Sequence, residues 1–169
     1  LGAPAMSFRD PAAVFAWADS FTNLERNLPP LDKRTWRLDR MRRMLDETGS
    51  PDAAFRSFHV AGSKGKGSTA TMLARMLEAN GYTVGLYTSP HLVHLRERIA
   101  VNSEMITEAE MLSLMNRLYS PIEKLSKEDP PTFFEIMTAL AFTYFADRQI
   151  DIGVIETGLG GRLDSTNVI

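Results

Sequence analysis

The residues His59-Val-Ala-Gly-Ser-Lys-Gly-Lys-Gly-Ser68 carry the pattern with the clearest chemical purpose in the chain. Three glycines, Gly62, Gly65 and Gly67, let the backbone turn tightly and approach an anion, while free amides and the dipole at a helix start favour negative charge. Lys66 adds a point charge for outer phosphates, and Ser68 or Thr69 offers a hydroxyl to a phosphate-bound Mg²⁺. The stretch Gly62, Ser63, Lys64, Gly65, Lys66, Gly67, Ser68 and Thr69 therefore reads as a phosphate-binding loop. Gly67 separates Lys66 from Ser68, where the general pattern has Lys followed directly by Ser or Thr. The competing reading is a glycine-rich turn that binds nothing, but such a turn has no use for two lysines among its glycines.

A second centre is Glu156, delivered by the apolar run Ile152 to Ile155 and followed by Thr157-Gly-Leu-Gly-Gly-Arg-Leu-Asp164. A carboxylate at a strand end beside a glycine loop is a Mg²⁺ candidate; the plainer alternative is a carboxylate leaving the sheet for solvent. Ser89, in Thr88-Ser-Pro-His91, is locally best read as the start of a Ser-Pro turn, with metal ligation as the sharper reading. His91 and His94 lie three apart with no third ligand at recognisable spacing, which argues against zinc.

These residues need elements to hold them. Phe58, Val60 and Ala61 read as the end of a buried strand, and Ser68 to Asn80 as a helix with Met72, Leu73, Met76 and Leu77 on one stripe. Thr83 to Tyr87 and Ile152 to Ile155 read as further buried strands, and Arg98 to Ile106 as a small hairpin around Asn102-Ser103. Asp10-Pro11 opens a helix expected to reach Leu24. Leu38, Met41 and Leu45 mark a second helix, after the break at Pro29-Pro30. Thr107 with Glu110 and Thr132 with Glu135 have capping-box spacing ahead of two more helices; the polar, proline-bearing linker from Ser120 to Pro131 is expected to be mobile and without chemistry. Strands alternating with helices predict an α/β fold, P-loop NTPase-like, with a mostly parallel sheet flanked by helices.

The 169 residues suffice for one domain, with 44% hydrophobic and 24% charged residues as in ordinary globular chains. A net charge of −2 gives no long-range reason to bind nucleic acid or acidic membranes, and the cluster Arg40, Arg42, Arg43 reads as a solvated helix face. Without cysteine there is no disulfide or thiolate site, and with no signal-like or membrane-length apolar segment a cytoplasmic location is expected. Leu1 to Ala5 read as an expression scar or an upstream extension.

Taken together, the phosphate loop, Tyr87-Thr-Ser-Pro-His-Leu92, Arg96-Glu-Arg-Ile99, Thr132-Phe-Phe-Glu135 and Ile155-Glu-Thr-Gly-Leu-Gly-Gly-Arg-Leu-Asp-Ser-Thr-Asn-Val168 resemble folylpolyglutamate synthase and the bifunctional dihydrofolate synthase, in the Mur ligase superfamily. The resemblance implies an ATP-dependent amide ligase joining L-glutamate to a folate or dihydropteroate carboxylate through an acyl phosphate. It implies Lys66 and the loop amides on ATP, Ser89 and Glu156 as Mg²⁺ ligands, and Lys66 and Glu156 as the catalytic pair. Arg40, Pro90, His91, Phe133, Phe134, Arg162 and Asp164 are the implied folate contacts. For Phe133, Phe134 and Glu135 the alternatives of core packing and capping stay open.

Three positions depart from the family pattern: Ser63-Lys64 stands where Thr-Asn is usual, and Arg96 where Asn is usual. Residues 6–169 correspond to the N-terminal portion of the ATP-binding domain. The third metal ligand, the modified lysine and the C-terminal glutamate ligase domain would lie beyond Ile169, so an open apolar sheet edge is expected and the isolated chain is expected to be inactive. The complete enzyme is expected to be a monomer. The alternatives are a peptidoglycan Mur-type ligase, for which the residues before His59 are too few to form a UDP-binding domain, and a non-catalytic nucleotide-binding module.

Overall fold

The computed structural model describes residues 8–26 and 37–169. Its centre is a five-stranded sheet of β1 (Arg56–Val60), β2 (Val84–Tyr87), β3 (Ile99–Val101), β4 (Glu104–Met105) and β5 (Ile152–Glu156), in the order β1-β5-β2-β3-β4. β1, β5 and β2 are parallel, while β3 and β4 add an antiparallel hairpin. Its turn residues Asn102 and Ser103 both have positive φ, 47° and 69°, the handedness a two-residue hairpin requires.

Side chains alternate across this sheet with period two, so each face has its own helices. One face, with Val84 and Val154, packs on α3 (Lys66–Ala79) through Ala70 and Ala74. The other, with Tyr87 and Ile155, packs on the main core formed by α1 (Pro11–Asp19), α2 (Asp39–Glu47), α4 (Glu108–Ser126) and α5 (Phe133–Asp147). Gly85 and Gly153 are neighbours in the β2–β5 register, and aromatic rings fill the space above them. A Cβ on Gly85 would lie 2.8 Å from Phe145, and one on Gly153 would lie 2.8 Å from Phe55.

Both expected capping boxes form, at Thr107–Glu110 and Thr132–Glu135. Other elements differ from their sequence reading. α1 stops at Asp19 rather than Leu24, because Ser20 turns the chain with its hydroxyl on Trp17 O, and Thr22 pairs with Thr132 in a bridge. α4 runs through Pro121 to Ser126, absorbing most of the expected mobile linker; burial of Ile122 and Leu125 carries the helix past the proline.

β1 is a sheet edge and not a buried strand: Phe58 is 47% exposed. Of the expected α3 stripe, Leu73 and Leu77 pack on the sheet, whereas Met72 and Met76 are 60% and 65% exposed. The small Ala70 and Ala74 take the buried positions, because close helix-to-sheet approach favours them. Leu1–Ala5 and Pro29-Pro30 lie outside the described residues. Among the described residues no helix is long and apolar enough to cross a membrane.

Candidate active site at the parallel strand ends

The register places Val60 of β1 beside Glu156 of β5, and Tyr87 of β2 beside Ile155, so three segments leave the sheet at one edge. Such edges are where open α/β sheets bind ligands. The segment after β1 is the glycine loop, exposed from Gly62 to Gly65. Gly65 caps α3 with φ 73°, a conformation glycine adopts without steric cost, and Lys66 is the first helical residue. No side chain caps this helix and its first turn holds no acidic residue, leaving the N-terminal amides for an anion. The Lys66 stem folds back over Gly62, within 3.7 Å of where a Cβ would stand.

Glu156 is buried, and its Oε2 accepts a hydrogen bond of 3.0 Å from Ser89 N–H. A Cβ on Gly67 would lie 3.4 Å from the same oxygen, so the missing side chain lets the first turn of α3 close on the carboxylate. Among the described residues Ser89 is its one hydrogen-bond partner and it pairs with no cation. A buried carboxylate without a counter-charge is costly, and a divalent cation at this point would remove the cost. Ser89, Glu156, Lys66 and the glycine loop are thus brought together. No cluster of three or more His, Cys, Asp or Glu residues able to hold a metal occurs among the described residues, so His91 and His94 form no such centre.

Beside Ser89 lies a cavity of about 250 Å³, walled by Pro90, Phe134, Leu163 and Asp164 and by the polar trio Arg40, Thr132 and Glu135. Phe134 packs against Gly158, whose absent side chain leaves room for the ring, and stands 5.9 Å from Tyr87. Asp164 is buried and works as a strut: it accepts from the amides of Leu159 and Thr166 and from the Thr166 hydroxyl, which also meets His59 Nε2. Burial pushes the His59 imidazole down, with Asp164 opposing.

Other expected contacts lie elsewhere. Phe133 is buried beneath the Arg98 guanidinium, 5.3 Å from its ring centre, and does not line the cavity. His91 is also outside the cavity wall, its Nδ1 accepting from Arg98 Nε at 2.9 Å. Burial and the Arg98 charge push its pKa below the usual imidazole value, which keeps that lone pair available. Arg162 is exposed and stands apart from the cavity. The expected solvated face of Arg40, Arg42 and Arg43 is corrected at Arg40, which is 5% exposed with Nε on Glu135 Oε2 at 2.8 Å. The linker residue Asp129, expected to carry no chemistry, collects Arg37, Arg40 and Arg43. Glu25, a cavity wall residue with no sequence signal, holds buried Arg98 through two hydrogen bonds.

A mixed sheet whose parallel strands gather a glycine loop, an uncapped helix start and a buried carboxylate defines an α/β domain of the P-loop nucleotide-binding class. The chain belongs to the folylpolyglutamate and dihydrofolate synthase family, of whose members it matches the N-terminal part. The dihydrofolate synthase/folylpolyglutamate synthase of Bacillus subtilis is 47% identical over 135 residues, 78% of this chain and 31% of the relative. The folylpolyglutamate synthase structure from Thermotoga maritima superposes with a TM-score of 0.85 at 37% identity, covering 94% of this chain and 35% of that one. A folylpolyglutamate synthase complex with AMPPCP and folate gives 0.84 at 39% identity, covering 95% and 38%. The chain therefore spans about a third of these relatives. No protein-family model matches it.

Proposed function

We propose that the chain supplies the nucleotide site and the ring-substrate pocket of an ATP- and Mg²⁺-dependent ligase that joins L-glutamate to folate or dihydropteroate. In this reading residues 6–169 are the N-terminal portion of the ATP-binding domain, and the glutamate ligase domain lies outside this chain. The observation that carries it is the Glu156 carboxylate held between Ser89 N–H and Gly67, with the phosphate loop on one side and the cavity on the other. Relatives solved with AMPPCP and folate support both ligands.

A carboxylate is a poor acyl donor, so its oxygen first attacks the γ-phosphorus of ATP, and the bond to ADP breaks. The glutamate amine then attacks the acyl carbon, phosphate leaves and the amine loses a proton. The first transfer depends on positioning and charge neutralisation more than on an acid or base. The α3 amides and Lys66 hold the phosphates; Pro90, Phe134 and Asp164 wall the ring substrate. Ser89 and Glu156 would hold Mg²⁺, which when bound supplies charge neutralisation at the phosphates; so small a protein donor set suits an ion that keeps water and phosphate ligands.

In the complete enzyme, Lys66→Ala and Glu156→Gln should each abolish glutamate ligation while the folded state survives. Near-normal turnover by either variant removes that residue from the mechanism. Calorimetry of Mg²⁺-dependent ATP binding to wild type and Lys66→Ala separates a phosphate role for Lys66 from a structural one.

A further inference from the structure

Val60 of β1 packs on the α3 side of the sheet, so the period of two turns His59 to the opposite face, that of its register partner Ile155. There its Nε2 lies 2.8 Å from the Thr166 hydroxyl oxygen. As a carboxylate Asp164 only accepts, and it takes the Leu159 and Thr166 amides and the Thr166 hydroxyl. A hydroxyl has one proton, and here it goes to Asp164. The Thr166 oxygen must then accept from His59, which places the imidazole proton on Nε2. Burial pushes the His59 pKa down, so this is the ring's single proton at neutral pH, and Nδ1 has no hydrogen-bond partner among the described residues.

This bond is the second of two staples between β1 and the loop after β5. The first is at the start of that loop, where Thr157 gives its amide to Val60 O at 3.0 Å. Between the staples lie Gly158, Leu159, Leu163, Asp164 and Ser165, all on the cavity wall, and β1 itself runs straight into the glycine loop ahead of α3. Thr166 is fully buried, so its oxygen has no solvent to fall back on. We propose that His59 is a positioning residue for the ring substrate: its Nε2–H, passed through the Thr166 hydroxyl to Asp164, holds the loop after β5 in place as one wall of the cavity. Glutamine reaches as far with an N–H donor and asparagine stops one carbon short, so reach as well as polarity decides whether a replacement works. The inference rests on the ring-substrate reading of the cavity given above.

The test uses the complete enzyme with folic acid, dihydropteroate and AMPPCP as probes. His59→Leu should bind AMPPCP as wild type does, while its Kd for the ring compound rises at least about fivefold, the lower bound for leaving a buried acceptor without its donor. In turnover, KM for the ring substrate should rise with kcat held within about twofold, the signature of lost uniform binding. His59→Gln should restore wild-type values and His59→Asn should not. In a Thr166→Val background His59→Leu should cost nothing further, because the bond is already gone. A smaller rise in Kd, a failed glutamine rescue, or parallel loss of AMPPCP binding, which marks a purely structural role, overturns the proposal. Wild type that binds AMPPCP but neither ring compound overturns the substrate reading and this inference with it. If His59→Leu does not fold, imidazole nitrogen NMR on wild type decides: the neutral His59 ring must carry its proton on Nε2, and its signals must move when folic acid or dihydropteroate binds. A proton on Nδ1, or unmoved signals, overturns the proposal.

Discussion

Gly158→Ala reaches the cavity beside Ser89 without touching any charged group. A Cβ at Gly158 would stand 2.7 Å from Phe134 Cζ and 3.0 Å from two further ring atoms, short of the 3.4 Å at which ordinary contact begins. The ring has to retreat by about 0.7 Å, but it is buried, with Tyr87 5.9 Å from its centre. Overpacking of this kind costs about 1–3 kcal/mol. For a chain of this size that corresponds to a fall in melting midpoint of roughly 2 to 12 °C. Gly161→Ala is the control in the same loop, since its Cβ would meet only Ala61, at 3.9 Å. Differential scanning calorimetry should show the fall for Gly158→Ala and little change for Gly161→Ala, and ring-substrate affinity should drop in the first variant while ATP affinity holds. A Gly158→Ala protein with wild-type melting and wild-type ring-substrate affinity refutes the packing argument.

Two further outcomes follow from the loop after β2. Arg98→Met removes a buried guanidinium held by Glu25 and His91, and should cost about 2–4 kcal/mol in urea unfolding, somewhat under the range for a fully buried pair because Glu25 keeps solvent contact; a loss below about 1 kcal/mol would show the cluster to be dispensable. The Glu97 carboxylate accepts from the amides of Leu92, Val93 and His94, and these bonds, Leu92 first, hold its pKa below the ordinary 4.5. With the folded pKa depressed, the stabilisation is present above about pH 4.5 and is lost as pH falls through the lower folded value. Protection of these three amides, taken relative to their intrinsic exchange rates, should fall in that acid window, and Glu97→Gln should lower it at neutral pH; pH-independent protection would sink the account.

The two centres of the candidate site were legible as local patterns. A glycine loop before a helix, and an apolar run ending in Glu156, carry their meaning in consecutive residues, as do the capping boxes at Thr107 and Thr132. Burial of single side chains was not legible where distant elements decide it. Met72 and Met76 have the periodicity of a buried stripe yet face outward, and Pro121 reads as a helix stop yet lies inside α4. Phe133 and Phe134 are adjacent and chemically identical, and helical geometry alone sends one under Arg98 and the other into the cavity wall.

What the sequence determined by itself was the order of elements, the glycine loop ahead of α3 and the acidic strand end, because helix starts, turns and strand ends depend on near neighbours. Tertiary structure alone decided that Glu156 meets Ser89, 67 positions away, and that Arg40 leaves solvent for Glu135, 95 positions away. Those meetings arise from strand order and helix packing across the sheet, and no periodicity within one segment encodes them.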